Sequence, residues 1–134
     1  MEKVALQADD IDELLSFLPS LDAPGFKPIV RWGGGTKDES GVYTMPWPEY
    51  SETVARFFGN ASKECWSDNQ YVPELAGAML KNEALVAVAT IDQIKTMLTF
   101  CVRGERFCDG HWGAMIEEGY VRRLLSRLQE LRRQ

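Results

Sequence analysis

Thr90-Ile91-Asp92-Gln93-Ile94-Lys95-Thr96-Met97-Leu98-Thr99-Phe100-Cys101-Val102-Arg103-Gly104 reads as one helix with both ends marked. Thr90 and Gln93 have the spacing of a capping box. The Thr hydroxyl accepts from the Gln93 amide, and the Gln side chain accepts from the Thr90 amide. Ile91, Ile94, Leu98 and Cys101 fall on one stripe of the helix that follows, and Gly104 lies where it ends. A helix with a single apolar stripe has to bury it against other elements, so the segment predicts a helical domain rather than a sheet.

The same signals repeat to either side. Asp9 or Asp10 is placed to cap a helix carrying Ile11, Leu14, Leu15 and Leu18, which Pro19 stops. Ser51-Glu52-Thr53 opens a helix to about Ala61 with Val54, Phe57 and Phe58 inward, and a broken continuation reaches Trp66. Pro73 suits the first turn of a helix ending at Asn82, and the apolar run 84–89 favours a further helical turn. Past Gly104, Asp109 can cap a short helix to Met115 or Glu117. Gly119 offers a break, and Val121, Leu124, Leu125, Leu128 and Leu131 mark the terminal helix. The Pro- and Gly-rich stretch 23–48 cannot be a long helix. Residues 28–32 and 41–45, rich in β-branched and aromatic side chains, suggest a loose hairpin around the polar segment 33–40. The expected fold is mainly α: a compact bundle of five or six short helices with a small β-hairpin in the N-terminal half, one domain over residues 1–134.

Composition narrows the class. The chain has 134 residues, 45% apolar and 26% charged, enough for one core without staples. Carboxylates precede any apolar run long enough for a signal peptide, and the longest such run is far short of a membrane span. Three Cys without paired spacing suit free thiols in a cytoplasm. The net charge of −5 argues against nucleic acid as partner, although residues 103–134 carry seven Arg against five acids.

Arg103-Gly-Glu-Arg106-Phe107-Cys108-Asp109-Gly110-His111, with Gly119 eight residues on and a Leu- and Arg-rich helix after it, resembles an uncharacterised bacterial and archaeal family, a domain of unknown function. Leu14-Leu15-Ser-Phe17-Leu18-Pro19 and Ala23-Pro24-Gly25-Phe26 are similar to it as well. The resemblance implies a fold only. No activity, cofactor or partner follows from it.

Arg103, Arg106, Asp109 and His111 crowd one helix junction, and His111 is the sole histidine. Two guanidiniums can clamp a carboxylate or phosphate, His111 can act as acid or base, and Asp109 can orient the imidazole. The plainer reading makes the Arg complements of a helix C-terminus and Asp109 an N-cap. Cys65, Cys101, Cys108 and His111 number the ligands of a Cys3His zinc site, but no C-x2-4-C knuckle occurs, so no metal is expected. Cys108 with His111 as a nucleophile pair has no further support. Gly33-Gly34-Gly35-Thr36-Lys37 has the wrong order for a phosphate loop and reads as a hairpin tip. Trp32, Tyr43, Trp47, Tyr50, Trp66 and Tyr71 can seal the loop-rich half or form a binding patch. Arg122, Arg123, Arg127, Arg132 and Arg133 read as the polar face of the last helix, pairing with Glu117, Glu118, Glu130 or the acidic first helix.

With no complete catalytic or cofactor motif, the sequence favours a non-catalytic interaction or structural module, homo-oligomeric or bound to a protein partner, without membrane or cofactor. The alternative is a protein or enzyme for an anionic ligand, built on Arg103, Arg106 and His111.

Overall fold

A computed structural model describes residues 5–134. The expectation of no signal peptide draws on residues 1–4, which lie outside the described residues. In chain order the elements are α1 (Ala8–Leu15), α2 (Leu18–Leu21), β1 (Ile29–Gly33), β2 (Trp47–Tyr50), α3 (Glu52–Ala61), α4 (Pro73–Lys81), α5 (Glu83–Ala87), α6 (Ile91–Arg103), α7 (His111–Glu117) and α8 (Tyr120–Arg133), with 3-10 turns at Glu64–Trp66 and Gly104–Arg106. The fold is mainly helical with one two-stranded antiparallel sheet, as the patterning predicts. Among the described residues six helices have seven residues or more, and α2 and α5 add single turns.

Local chemistry accounts for the helix starts. The capping box at Thr90 forms in full: the Gln93 amide donates to Thr90 Oγ1 at 3.2 Å and the Thr90 amide to Gln93 Oε1 at 2.9 Å. Ser51 Oγ accepts from the Val54 amide and starts α3. Asn82 closes α4 and, through its side chain, caps α5. At α1 the expected cap shifts: Gln7 is the N-cap, and Asp10 reaches back to its amide at 2.8 Å from the first turn. Pro19 does not stop α1, which ends at Leu15; it occupies the first turn of α2, where its missing N–H costs nothing.

The core gathers where α8 crosses α1, α6 and α7. Val121, Leu124, Leu125 and Leu128 of α8 meet Ile94, Met97, Leu98 and Cys101 of α6, with Leu14 from α1 and Val54, Phe57 and Phe58 from α3. Trp66 is fully buried among them rather than sealing a loop. The acidic first helix is tied to α8 by Arg132 and Asp12 at 2.9 Å. Arg127 donates to the Ala89 carbonyl and to Glu130, Arg123 meets Glu83, and Arg122 approaches Asp22. Glu117 and Glu118 take no part in these pairs.

The hairpin exists, but its return strand is not at 41–45. β1 pairs with β2, in register Ile29 to Tyr50 and Gly33 to Trp47, with a bulge between Ile29 and Arg31. Residues 42–44 continue the ribbon by an isolated bridge between Lys37 and Tyr43. The reversal is at 38–41, where the Asp38 carboxylate accepts from the Ser40 and Val42 amides. Gly33 to Gly35 is therefore not the tip. The Trp47 ring lies flat over Gly33 and Gly34, where any Cβ would collide with it, and Gly34 holds φ +71°. Close approach of an aromatic ring, not mobility, is why these positions are glycine.

Candidate functional site at the junction of α6 and α7

The segment between α6 and α7 is organised by Glu105, to which the sequence reading assigned no role. Its carboxylate accepts from the Gly110 amide at 3.0 Å, the Trp112 amide at 2.9 Å and the Tyr50 hydroxyl at 2.6 Å. Two of these donors are the otherwise unpaired amides that begin α7, so Glu105 supplies the cap expected of Asp109. Asp109 is exposed. The residue before α7 is Gly110, at φ +89°, and this left-handed turn carries the chain past Asp109 and aims the helix start back at Glu105. The third donor, Tyr50, belongs to β2. One carboxylate thus fastens the ribbon and the helix junction together, and burial together with the Glu105 bond pushes the Tyr50 phenol above its ordinary pKa.

His111 and Trp112 face the other way, onto the end of α6. The imidazole Nε2–H donates to the Phe100 carbonyl at 3.2 Å, and the indole N–H donates to the Val102 carbonyl at 2.8 Å. A carbonyl only accepts, so the neutral imidazole keeps its proton on Nε2 and its lone pair on Nδ1. The ring also stands edge-on to Phe100, centroids 5.3 Å apart, and sits against Gly104, where a Cβ would overlap it. Burial holds the His111 pKa below its ordinary value, partly offset by the Phe100 bond.

This sets a pH dependence. With the folded pKa below the unfolded one, His111 contributes stability that is present above about pH 6.5 and lost as pH falls through the folded pKa. Replacing His111 by Gln is expected to flatten the stability profile on the acid side of pH 6.5, measured by urea unfolding at half-unit intervals. A slope identical to that of the unmodified chain would contradict it.

The two arginines separate in role. Arg103 donates to Asn69 Oδ1 at 2.6 Å and lies over the Tyr71 ring, 5.4 Å from its centroid. Arg106 is exposed and, among the described residues, makes no ion pair. Both line one open hollow of about 300 Å³ together with Val102, Glu105 and Trp112. His111 does not line it. The structure thus brings Arg103 and Arg106 together, and sets His111 on the neighbouring face against α6 and Asp109 in the solvent.

The thiols are dispersed. Cys65 and Cys101 are buried, and burial pushes Cys101 up to about 12, so it carries no thiolate near neutrality. Cys108 is exposed, and its nearest polar partner is the Asp109 carbonyl rather than the imidazole. Among the described residues no group of three His, Cys, Asp or Glu is disposed to hold a metal ion. No helix among them is long and apolar enough to cross a membrane.

What the fold and the junction define is a small helical domain carrying a β-ribbon arm pinned by a glutamate. The chain belongs to the family of unknown function DUF6508, whose family model matches residues 6–134. No curated protein and no solved structure matches it.

Proposed function

We propose that the chain is a non-catalytic interaction module of the cytoplasm, and that the ribbon arm is its working surface. The observation that carries this reading is the contrast between two sets of side chains. The groups able to do proton chemistry at the junction are spent on holding it: Glu105 takes three hydrogen bonds, and His111 gives its proton to a helix end. Meanwhile Met45 of the arm is 72% exposed and Trp32, Tyr43 and Trp47 are about half exposed, an arrangement typical of surfaces that bind other proteins. The three free cysteines fit a reducing compartment.

A second reading rests on the hollow beside Trp112, where Arg103 and Arg106 present two cations to an anionic ligand. In that reading the two guanidiniums clamp a carboxylate or phosphate, and His111, which lies outside the hollow, takes no part in the contact. A native mass spectrum of the purified chain separates the two. The interaction reading expects protein masses alone. An adduct lost on both Arg103→Ala and Arg106→Ala replaces it with the ligand reading.

A further inference from the structure

A second hollow, walled by α5 and α8, shares no lining residue with the junction or the arm. It measures about 240 Å³. Val86 and Ala87 of α5 give it an apolar side, α8 lays Arg122, Arg123 and Arg127 along the other, and Glu83 and Glu130 complete the wall. Arg123 and Arg127 are four residues apart on one helix and so face the same way. Three guanidiniums against two carboxylates leave one positive charge over. These cations are not held as a solvated face would hold them. The Arg127 side chain is only 15% exposed, and its Nε–H donates to the Ala89 carbonyl at 3.0 Å, which fixes the plane of the guanidinium. Nη1 donates to Glu130 at 3.2 Å, and Nη2 has no acceptor among the described residues. Arg123, 31% exposed, brings Nη2 within 3.3 Å of Glu83 as an ion pair, without a hydrogen bond among the described residues. Arg122 leans toward Asp22 at 3.8 Å, beyond hydrogen-bond reach. Each guanidinium carries five N–H donors, so most of the donors along this wall lack a protein acceptor.

We infer that this hollow binds a small organic monoanion, a carboxylate on a compact apolar body, with its oxygens on Arg123 and Arg127 and its body against Val86 and Ala87. Size sets the body. At about 30 Å³ per water the hollow has room for about eight waters, the volume of one ring or a short chain. Charge sets the head group. Arginine forks match a carboxylate, whereas Glu83 and Glu130 in the same wall repel a phosphate dianion. Those two side chains are also the ligand's competitors, since they already present carboxylates to the same cations. They are 72% and 58% exposed, and ion pairs so open to water are given up at little cost. The site is separate from the hollow beside Trp112, and the interaction reading above holds with or without it.

The test is a titration of the isotope-labelled chain with benzoate, followed by NMR. Saturable shifts are expected at the Arg123 and Arg127 Nε–H signals and at the Val86, Ala87 and Ser126 amides. Acetate, which lacks the body, and benzyl alcohol, which lacks the charge, should each bind at least about tenfold more weakly. Arg123→Gln spares the Ala89 contact of Arg127 and is expected to weaken benzoate at least about tenfold. Ala87→Phe fills the hollow from an exposed position and should abolish binding with the fold intact. Glu130→Gln removes a competitor and should tighten it. No saturable shift, equal binding of benzyl alcohol, or unchanged affinity in Arg123→Gln overturns the inference. So do shifts that gather at Arg103, Arg106 and Trp112, which place the anion in the other hollow.

Discussion

Replacing Glu105 by alanine is expected to lower stability by about 2–4 kcal/mol, measured by urea unfolding at pH 7. Loss of a helix N-cap alone costs about 0.5–2 kcal/mol, and a hydrogen bond to a charged acceptor contributes about 1.5–3 kcal/mol net of its exchange with water, less where water reaches the vacated donor. Glu105 holds three donors, and truncating it leaves the partly buried Tyr50 hydroxyl and the first amides of α7 without their acceptor. Glu105→Gln keeps one carbonyl oxygen in place of two acceptors, so it should fall between. The cause is separated from general damage by a double-mutant cycle with Tyr50→Phe. If the carboxylate joins the arm to the junction, removing the phenol costs about 1 kcal/mol in the unmodified chain and almost nothing once Glu105 is gone. An alanine variant within about 0.5 kcal/mol of the original would mean that water replaces the carboxylate at no loss, and that the arm is fastened by packing alone.

The same residue shows where reading a sequence stops. Capping rules are local: they look for Ser, Thr, Asp or Asn immediately before a helix and for Glu or Gln three positions later. They succeed at Thr90 and Ser51, where donor and acceptor are three residues apart. They fail at α7 because its cap comes from five to seven residues upstream through a left-handed glycine, and its third donor from 55 residues away. Asp109 satisfies the local rule, and the turn at Gly110 swings it out of reach. The position of the return strand, 47–50 rather than 41–45, escapes local patterning for a related reason. Pro46 and Pro48 argue against a ladder, since proline has no N–H to donate, yet Pro48 sits opposite Trp32 in an isolated ribbon whose outer edge needs no donor. The helical core was legible because its period repeats along the chain in Leu124, Leu125 and Leu128 and in Ile94, Leu98 and Cys101. The junction was not, because Arg103, Asn69 and Tyr71 meet only after α6 has packed beside the segment leading into α4. Periodicity reports which face is buried; it carries no information on which side chain of another element waits there.

The core residue that links that legible helical part to the arm is Phe58, and Phe58→Ala is expected to cost about 3–5 kcal/mol, the range for emptying an aromatic site in a packed interior. Phe58 is 1% exposed. Its ring stacks on Trp112 at 4.6 Å and 6°, and meets Phe57 edge-on at 5.0 Å. Trp112 in turn lies 5.3 Å from Tyr50 and donates to the end of α6. Deleting the ring therefore removes a support from the indole that both closes α6 and backs the arm, so the loss should not stay local. Set against the about 5–15 kcal/mol of net stability of a small domain, the variant sits near the edge of folding. Phe58→Leu keeps apolar volume without the stack and should cost less, about 1–2 kcal/mol. Amide exchange distinguishes propagation from a simple cavity: in Phe58→Leu, still folded, the arm amides of Thr44 and Ser51 should exchange faster along with those starting α7, while Val121 to Leu128 keep their protection. Equal loss of protection throughout the chain would place Phe58 in the core alone and leave the arm dependent on Glu105.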